Sequence, residues 1–131
     1  MARLVLTGAK LLDGEHPPQT NAAVTIEGNR IVSVQSGPGA APQVGLDDEV
    51  HDIGGRTLMP GMVTCHFHST YDELGSKPTP LGLEDPPAYQ ALVAARNLHT
   101  ALRYGYTSVI SAGAANDIDA SMKKGLSLIH I

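Results

Sequence analysis

Tryptophan is absent from this chain, and phenylalanine and cysteine occur once each, the latter as Cys65. With a single thiol no internal disulfide can form, which excludes a disulfide-stapled secreted scaffold and leads us to expect a reducing compartment. So few aromatic rings leave the core to Val, Leu, Ile, Ala and Met, a palette suited to a parallel sheet lined with branched aliphatics. No apolar run approaches the roughly 18 residues that span a bilayer. The short run Leu4-Val5-Leu6 falls short of the roughly 7 to 15 apolar residues of a secretory signal. The expected setting is cytoplasmic, with no membrane partner. A cationic excess is also missing: 9 Lys and Arg against 13 Asp and Glu give a net charge of −4. The cations are scattered, so no basic face tracks a phosphate backbone and nucleic acid is not an expected partner.

What is present is ordinary globular material, 42% hydrophobic over 131 residues, enough for a modest packed domain. The first 57 residues read as all β. Strand formers fill residues 3 to 12 and stop at Asp13-Gly14. Ala22 to Glu27 and Arg30 to Gln35 flank Gly28-Asn29, a hairpin signal. A Gly, Pro and acid-rich loop spans 36 to 49, and Val50 to Ile53 is a short strand closed by Gly54-Gly55.

After Pro60-Gly61 the pattern changes. Met62 to Cys65 is an apolar run interrupted only by Thr64, as expected of a strand covered on both faces. Residues 69 to 87 carry Pro78, Pro80, Pro86, Pro87, Gly75 and Gly82, too irregular for a packed element, and read as a long loop of functional kind. Ala88, Leu92, Ala95, Leu98 and Leu102 recur at helical spacing over 88–104, with Gly105 placed as a cap. Thr107 to Ile110 reads as a buried strand. Asn116 or Asp117 would cap a further helix ending at Gly125. Strand, helix, strand, helix predicts a parallel βαβ arrangement.

The chemistry concentrates in Cys65-His66-Phe67-His68. Side chains alternate faces along a strand, so His66 and His68 share one face and Cys65 and Phe67 the other. Two neighbouring imidazoles suit one metal ion, zinc binding such nitrogens at roughly 2.0 to 2.1 Å. At the C-terminal end of a barrel strand they would face the active site of a metal-assisted hydrolase. The plainer alternative is a structural histidine pair in a non-enzymatic β-rich binding or assembly module. A metal-dependent phosphotriesterase is a further alternative, differing in the bond cleaved. Tyr71 and Asp72 follow closely enough to line a substrate site, although exposed loop acids are common. His16, His51, His99 and His130 read as structural or surface residues, Cys65 as a small core residue, and Gly113 as a turn or a point of close ligand approach.

The passage Gly54-Gly55-Arg56-Thr57-Leu58-Met59-Pro60-Gly61-Met62-Val63-Thr64-Cys65-His66-Phe67-His68 resembles the amidohydrolase superfamily, most closely its imidazolonepropionase-like and prolidase-like branch. Tyr104-Gly105-Tyr106-Thr107-Ser108-Val109 is similar to that family's next strand. The resemblance implies an α/β fold: a small N-terminal β-sandwich-type domain over 1–57, followed over 58–131 by the first two βα units of a (β/α)8 TIM-type barrel. It implies His66 and His68 as ligands of one or two divalent ions, most naturally Zn2+, and hydrolysis of carbon–nitrogen bonds in a small-molecule substrate. Homo-oligomerisation of the full-length parent is left open by the sequence. Thr64 stands where relatives commonly carry an acid or amide, and Ile110-Ser111 where they often have Arg-Asp.

Such a barrel needs roughly 250 residues, and about 70 follow Pro60. The chain is therefore expected to be a truncated, inactive fragment, with residues 125–131 departing from native sequence. The bridging lysine or glutamate, the two later histidines and the catalytic aspartate of the family have no matching positions here. No catalytic residue is expected within the fragment, and Lys77 is not assigned the bridging role.

Overall fold

The structure is a computed structural model that describes residues 2–76, 78 and 81–129. It is a mixed α/β chain that falls into two compact units, Met1–Pro60 and Gly61–Ile131. Lys77, His130 and Ile131 lie outside the described residues.

The first unit is one sheet. Its strands are β1 (Leu4–Leu11), β2 (Gln19–Glu27), β3 (Arg30–Gln35), β4 (Glu49–Asp52) and β5 (Thr57–Leu58), in the order β3-β2-β1-β4, with β5 also on β1. The β2–β3 hairpin forms as its turn residues predict, with Glu27 opposite Arg30 and Gly28 at φ +58°. β1 is central, antiparallel to β2 and parallel to β4 and β5. Its register on β2 shifts between Leu6 and Ala9, where Gly8 sits at φ +67° with no room for a side chain, since a Cβ there would collide with Asp52 Oδ1. Val5, Ala9, Leu11, Ala22, Ala23 and Val24 are buried, and Ile53 and Leu58 pack on this small aliphatic core.

The long loop between β3 and β4 is tied to the start of β1 by Arg3. Its guanidinium donates to both Asp48 oxygens at 2.5 to 3.2 Å and to the Gln43 carbonyl at 3.0 Å, and its backbone N–H donates to Asp48 Oδ1. Arg3, joined by the Gly45 N–H, holds the Asp48 carboxyl well below the usual carboxylate range.

The second unit contains β6 (Met62–Phe67), α1 (Pro87–Arg103), β7 (Tyr106–Ser111) and α2 (Ile118–Ile129). β6 and β7 pair in parallel with α1 as the crossover, as the βαβ reading expects. Pro87 opens α1, where a missing N–H is harmless, and Gly105 at φ +88° closes it. At Gly61 there is no space for a side chain, because a Cβ would overlap both Oγ1 and Cγ2 of Thr107. The Thr107 side chain packs onto the bare Gly61 backbone, so Pro60-Gly61 serves close strand approach rather than a turn.

Five expectations are corrected here. The α1 stripe predicted to be buried is largely on the outside, Leu92 being 71% and Leu102 58% exposed; the buried face holds Gln90, Val93 and Ala94. β6 is not covered on both faces, since Val63 and Cys65, which share one face, are exposed. Cys65 is therefore no core residue. α2 runs through Gly125, since one glycine inside a helix lowers its stability by only about 1 kcal/mol. Asn116 and Asp117 do not cap it in the usual extended conformation, both lying at left-handed φ (55° and 51°) in a short 3-10 turn, Ala115–Asp117, that leads into the helix.

This packing makes two outcomes measurable. Gly61→Ala is expected to destabilise the chain by about 1–3 kcal/mol through overpacking against Thr107, whereas Gly39→Ala, with open space around it, should stay within about 0.5 kcal/mol; urea denaturation of both variants checks this. A carboxylate whose folded-state pKa is depressed adds stability that is fully present above its unfolded value of about 3.9 and is lost as pH falls through the folded value. Asp48→Asn should therefore lower the urea midpoint at neutral pH, with the gap to wild type narrowing below about pH 4; a gap independent of pH would count against the role given to Arg3 and Asp48.

Candidate metal centre

β6 delivers His66 from within the strand and His68 from just beyond its last residue. The ladder with β7 ends where Phe67 faces Ser111 and the Ala112 N–H donates to the Phe67 carbonyl at 2.9 Å. This register brings the loop after β7 beside the histidines, and the Gly113 carbonyl lies 2.8 Å from His68 Nδ1. A carbonyl only accepts, so Nδ1 carries the His68 proton and Nε2 keeps its lone pair. Gly113 adopts φ +118°, and its N–H donates to Ser111 Oγ at 3.2 Å. The Ser111 hydroxyl, first among several hydrogen-bond partners, holds the Asp119 carboxyl at the start of α2 below its ordinary range.

The two Nε2 atoms are 3.0 Å apart, with ring centroids 4.9 Å apart and planes inclined by 74°. The alternation of side chains thus brings His66 and His68 together on one face as the sequence predicts. Their donor chemistry fits a borderline cation: two imidazole nitrogens converge, and one ring is oriented by a backbone carbonyl, as metal-ligating histidines usually are. The contact is also one that a hydrogen bond from His66 Nε2–H to His68 Nε2 satisfies. Among the described residues no group of three or more His, Cys, Asp or Glu side chains is placed to hold an ion. Thr64 bonds its own strand, its hydroxyl within 3.4 Å of the His66 N–H and 3.3 Å of the His66 carbonyl.

The segment after His68 is packed rather than loose. The Tyr71 ring stacks on His68 with centroids 4.1 Å apart and planes within 2°. Asp72 pairs with Arg96 of α1. Asn97 Nδ2 donates to the Ser69 carbonyl at 2.9 Å and the Tyr71 carbonyl at 2.7 Å. Gln90, buried to 1% exposure, donates to the Gly82 and Asp85 carbonyls and accepts from Asn116 Nδ2 at 3.1 Å. Ser69 and Thr70 are buried. A cavity of about 540 Å³ is lined by His66, His68, Tyr71, Asp72, Asn97 and Tyr106 among others. A cavity of about 620 Å³ in the first unit is lined by Arg3, Glu27, Gln43 and Asp48 among others, and has neither histidine nor cysteine in its wall.

His66, His68, Tyr71 and Asp72, the candidates expected from the sequence, line one cavity. Sequence reasoning missed Asn97, Gln90 and Arg96, whose polar side chains at i, i+6 and i+7 on α1 were the available signal, and it left the role of Gly113 open between two readings. Of the other described histidines, His16 Nδ1 bonds Asp13 at 2.8 Å, His51 Nε2 bonds Glu49 at 2.6 Å, and His99 is exposed on α1.

No family profile matches the chain. An imidazolonepropionase of Arthrobacter sp. (strain FB24) is 46% identical over 70 residues, which make up 52% of this chain and 16% of that protein. A crystal structure of a Xaa-Pro dipeptidase with bound methionine superposes with a TM-score of 0.81 at 21% identity, covering 99% of this chain and 31% of that one. A crystal structure of an amidohydrolase does so with a TM-score of 0.74 at 28% identity, covering 95% of this chain and 29% of that one. These relatives are hydrolytic enzymes, and the chain spans less than a third of the length of each.

Replacing Asn97 by Ala removes the donor shared by the Ser69 and Tyr71 carbonyls, and unsatisfied buried acceptors destabilise by about 1–3 kcal/mol each. Asn97→Ala should lower the urea midpoint and speed hydrogen exchange over residues 69–76. An unchanged exchange pattern there would show that the segment is held by something else.

Proposed function

We propose that the chain belongs to the amidohydrolase superfamily, to which its relatives point, and that in the intact protein it supplies the first two ligands of a divalent-metal centre that hydrolyses carbon–nitrogen bonds. The observation that carries this reading is the convergence of His66 Nε2 and His68 Nε2 to 3.0 Å, with His68 turned by the Gly113 carbonyl so that its free lone pair faces His66. In the same proposal, residues 1–57 are a small β domain of sandwich type, and 58–131 begin a (β/α)8 barrel with its first two βα units. The setting is cytoplasmic; no helix among the described residues is long and apolar enough to cross a membrane.

His66 and His68 would hold the ion, for which zinc is the natural choice given two imidazole donors. Such an ion supplies Lewis acidity toward an amide carbonyl and toward an attacking water. The chain's own residues do the rest of what this segment contributes. The Gly113 carbonyl keeps the His68 proton on Nδ1, away from the ion. The cavity beside the pair takes the substrate, with Tyr71 and Asp72 in its wall. Asp72, paired with Arg96, orients substrate. The names of the relatives point to amide, cyclic amide or dipeptide-like substrates, all of which place a polarisable carbonyl next to the scissile nitrogen.

Zinc titration of the 131-residue chain, followed by histidine ring resonances, tests the centre directly. Zinc is expected to shift His66 and His68 together while leaving His16 and His51 in place, and the His66→Ala, His68→Ala double variant should bind at least about tenfold more weakly. Zinc uptake by the double variant equal to that of wild type would refute the assignment. In the intact protein the same double substitution should remove metal and turnover together, whereas residues 1–131 alone should show no hydrolysis.

A further inference from the structure

We propose that Tyr71 is a positioning residue for His68, clamping the imidazole from its face while the Gly113 carbonyl holds it by its edge. The inference takes its functional meaning from the proposed role of His68 as a metal ligand, but its geometry stands independently of that role. His68 lies one residue beyond the end of β6, so the ladder that fixes His66 no longer fixes His68. A histidine ring on an unpaired residue turns about its Cβ–Cγ bond, and a half turn exchanges Nδ1 with Cδ2 and Nε2 with Cε1, taking both nitrogens from their partners. Two contacts from different parts of the unit oppose that turn. The Gly113 carbonyl, in the loop after β7, accepts from Nδ1–H at 2.8 Å. The Tyr71 ring lies parallel to the imidazole within 2°, with centroids 4.1 Å apart.

Tyr71 is itself anchored on both sides. Its N–H donates to the His68 carbonyl at 3.3 Å, and its own carbonyl accepts from Asn97 Nδ2 of α1 at 2.7 Å. The Tyr71 backbone is therefore held on both sides, and one face of its ring is occupied by His68. That arrangement differs from a tyrosine whose role is to offer its face to a substrate. With β7's loop on one side and α1 on the other, His68 is held by the two elements that follow β6 in the chain, and Nε2 is aimed at His66.

The test uses the 131-residue chain. Long-range proton–nitrogen spectra of the histidine rings at pH 8, without metal, report which nitrogen of His68 carries the proton. Wild type and Tyr71→Phe should both show Nδ1–H, because the phenyl ring preserves the stack. Tyr71→Ala and Tyr71→Leu should both show a mixture of the two forms, leucine preserving bulk without a flat ring. Zinc affinity in the latter two should fall roughly 10-fold, the scale on which orienting partners of metal ligands act, while Tyr71→Phe stays near wild type. An Nδ1–H form as dominant in Tyr71→Leu as in wild type would overturn the proposal, as would an Nε2–H form in wild type. Failure of the wild-type chain to take up zinc would instead refute the metal centre, and the tautomer comparison would still decide the role of Tyr71.

Discussion

The parallel pairing of β6 with β7 is the constraint from which the candidate site's geometry follows. At one end the Met62 N–H donates to the Gly105 carbonyl at 2.8 Å, and at the other the Ala112 N–H donates to the Phe67 carbonyl. Between these two bonds the register shifts from Met62 to Val63 and again from Thr64 to Phe67, so the two end bonds, rather than an unbroken ladder, fix where the histidines emerge. Gly61 sets the approach at the first end, where Thr107 packs onto its bare backbone. The consequence appears at the other end, where the Gly113 carbonyl comes to hand for His68 Nδ1. A glycine and a threonine at the start of the two strands thus help determine which nitrogen of a histidine, at their far end, is free.

The segment after the histidines is organised by polarity rather than by apolar burial. α1 turns an inner face of Gln90, Val93, Ala94 and Asn97 toward its neighbours, and its two amides between them take four loop carbonyls. The loop's own N–H groups close turns from Tyr71 to His68, Ser76 to Glu73 and Asp85 to Gly82, and its carbonyls take further donors from elsewhere. Amide side chains on a helix supply them at fixed spacing. The same helix leaves Leu92 and Leu102 exposed, a choice that apolar periodicity alone would place the other way round.

What was legible in the sequence was local. The Gly28-Asn29 hairpin, the strands, the helix limits at Pro87 and Gly105, and the shared face of His66 and His68 all follow from rules that act within a few residues. What was not legible depended on partners distant in the chain. The Gly113 carbonyl belongs to the backbone and carries no residue signature. Tyr71 reads as a loop aromatic until its ring is placed on His68. Cys65 alternates correctly with His66, yet whether its face is covered depends on which elements lie over it, and periodicity is silent on that. Gly125 was given more weight as a helix stop than one glycine has when its flanking residues favour helix.

The His66–His68 contact has the same form whether read as a hydrogen bond or as a pair of ligands, and this bears on how such a centre is built. Without a cation, His68 Nε2 accepts from the His66 ring, so neither nitrogen is left unsatisfied and the pair has no electrostatic reason to separate. With a cation in the proposed centre, the His66 proton would move from Nε2 to Nδ1 and both Nε2 lone pairs would be offered to the ion, while the Gly113 bond and the Tyr71 stack would stay as they are. Only one proton and one short contact change between the two states. A site whose empty state already holds its donors within reach of one another loses little conformational freedom on binding, and more of the intrinsic metal–nitrogen affinity is retained in the measured constant.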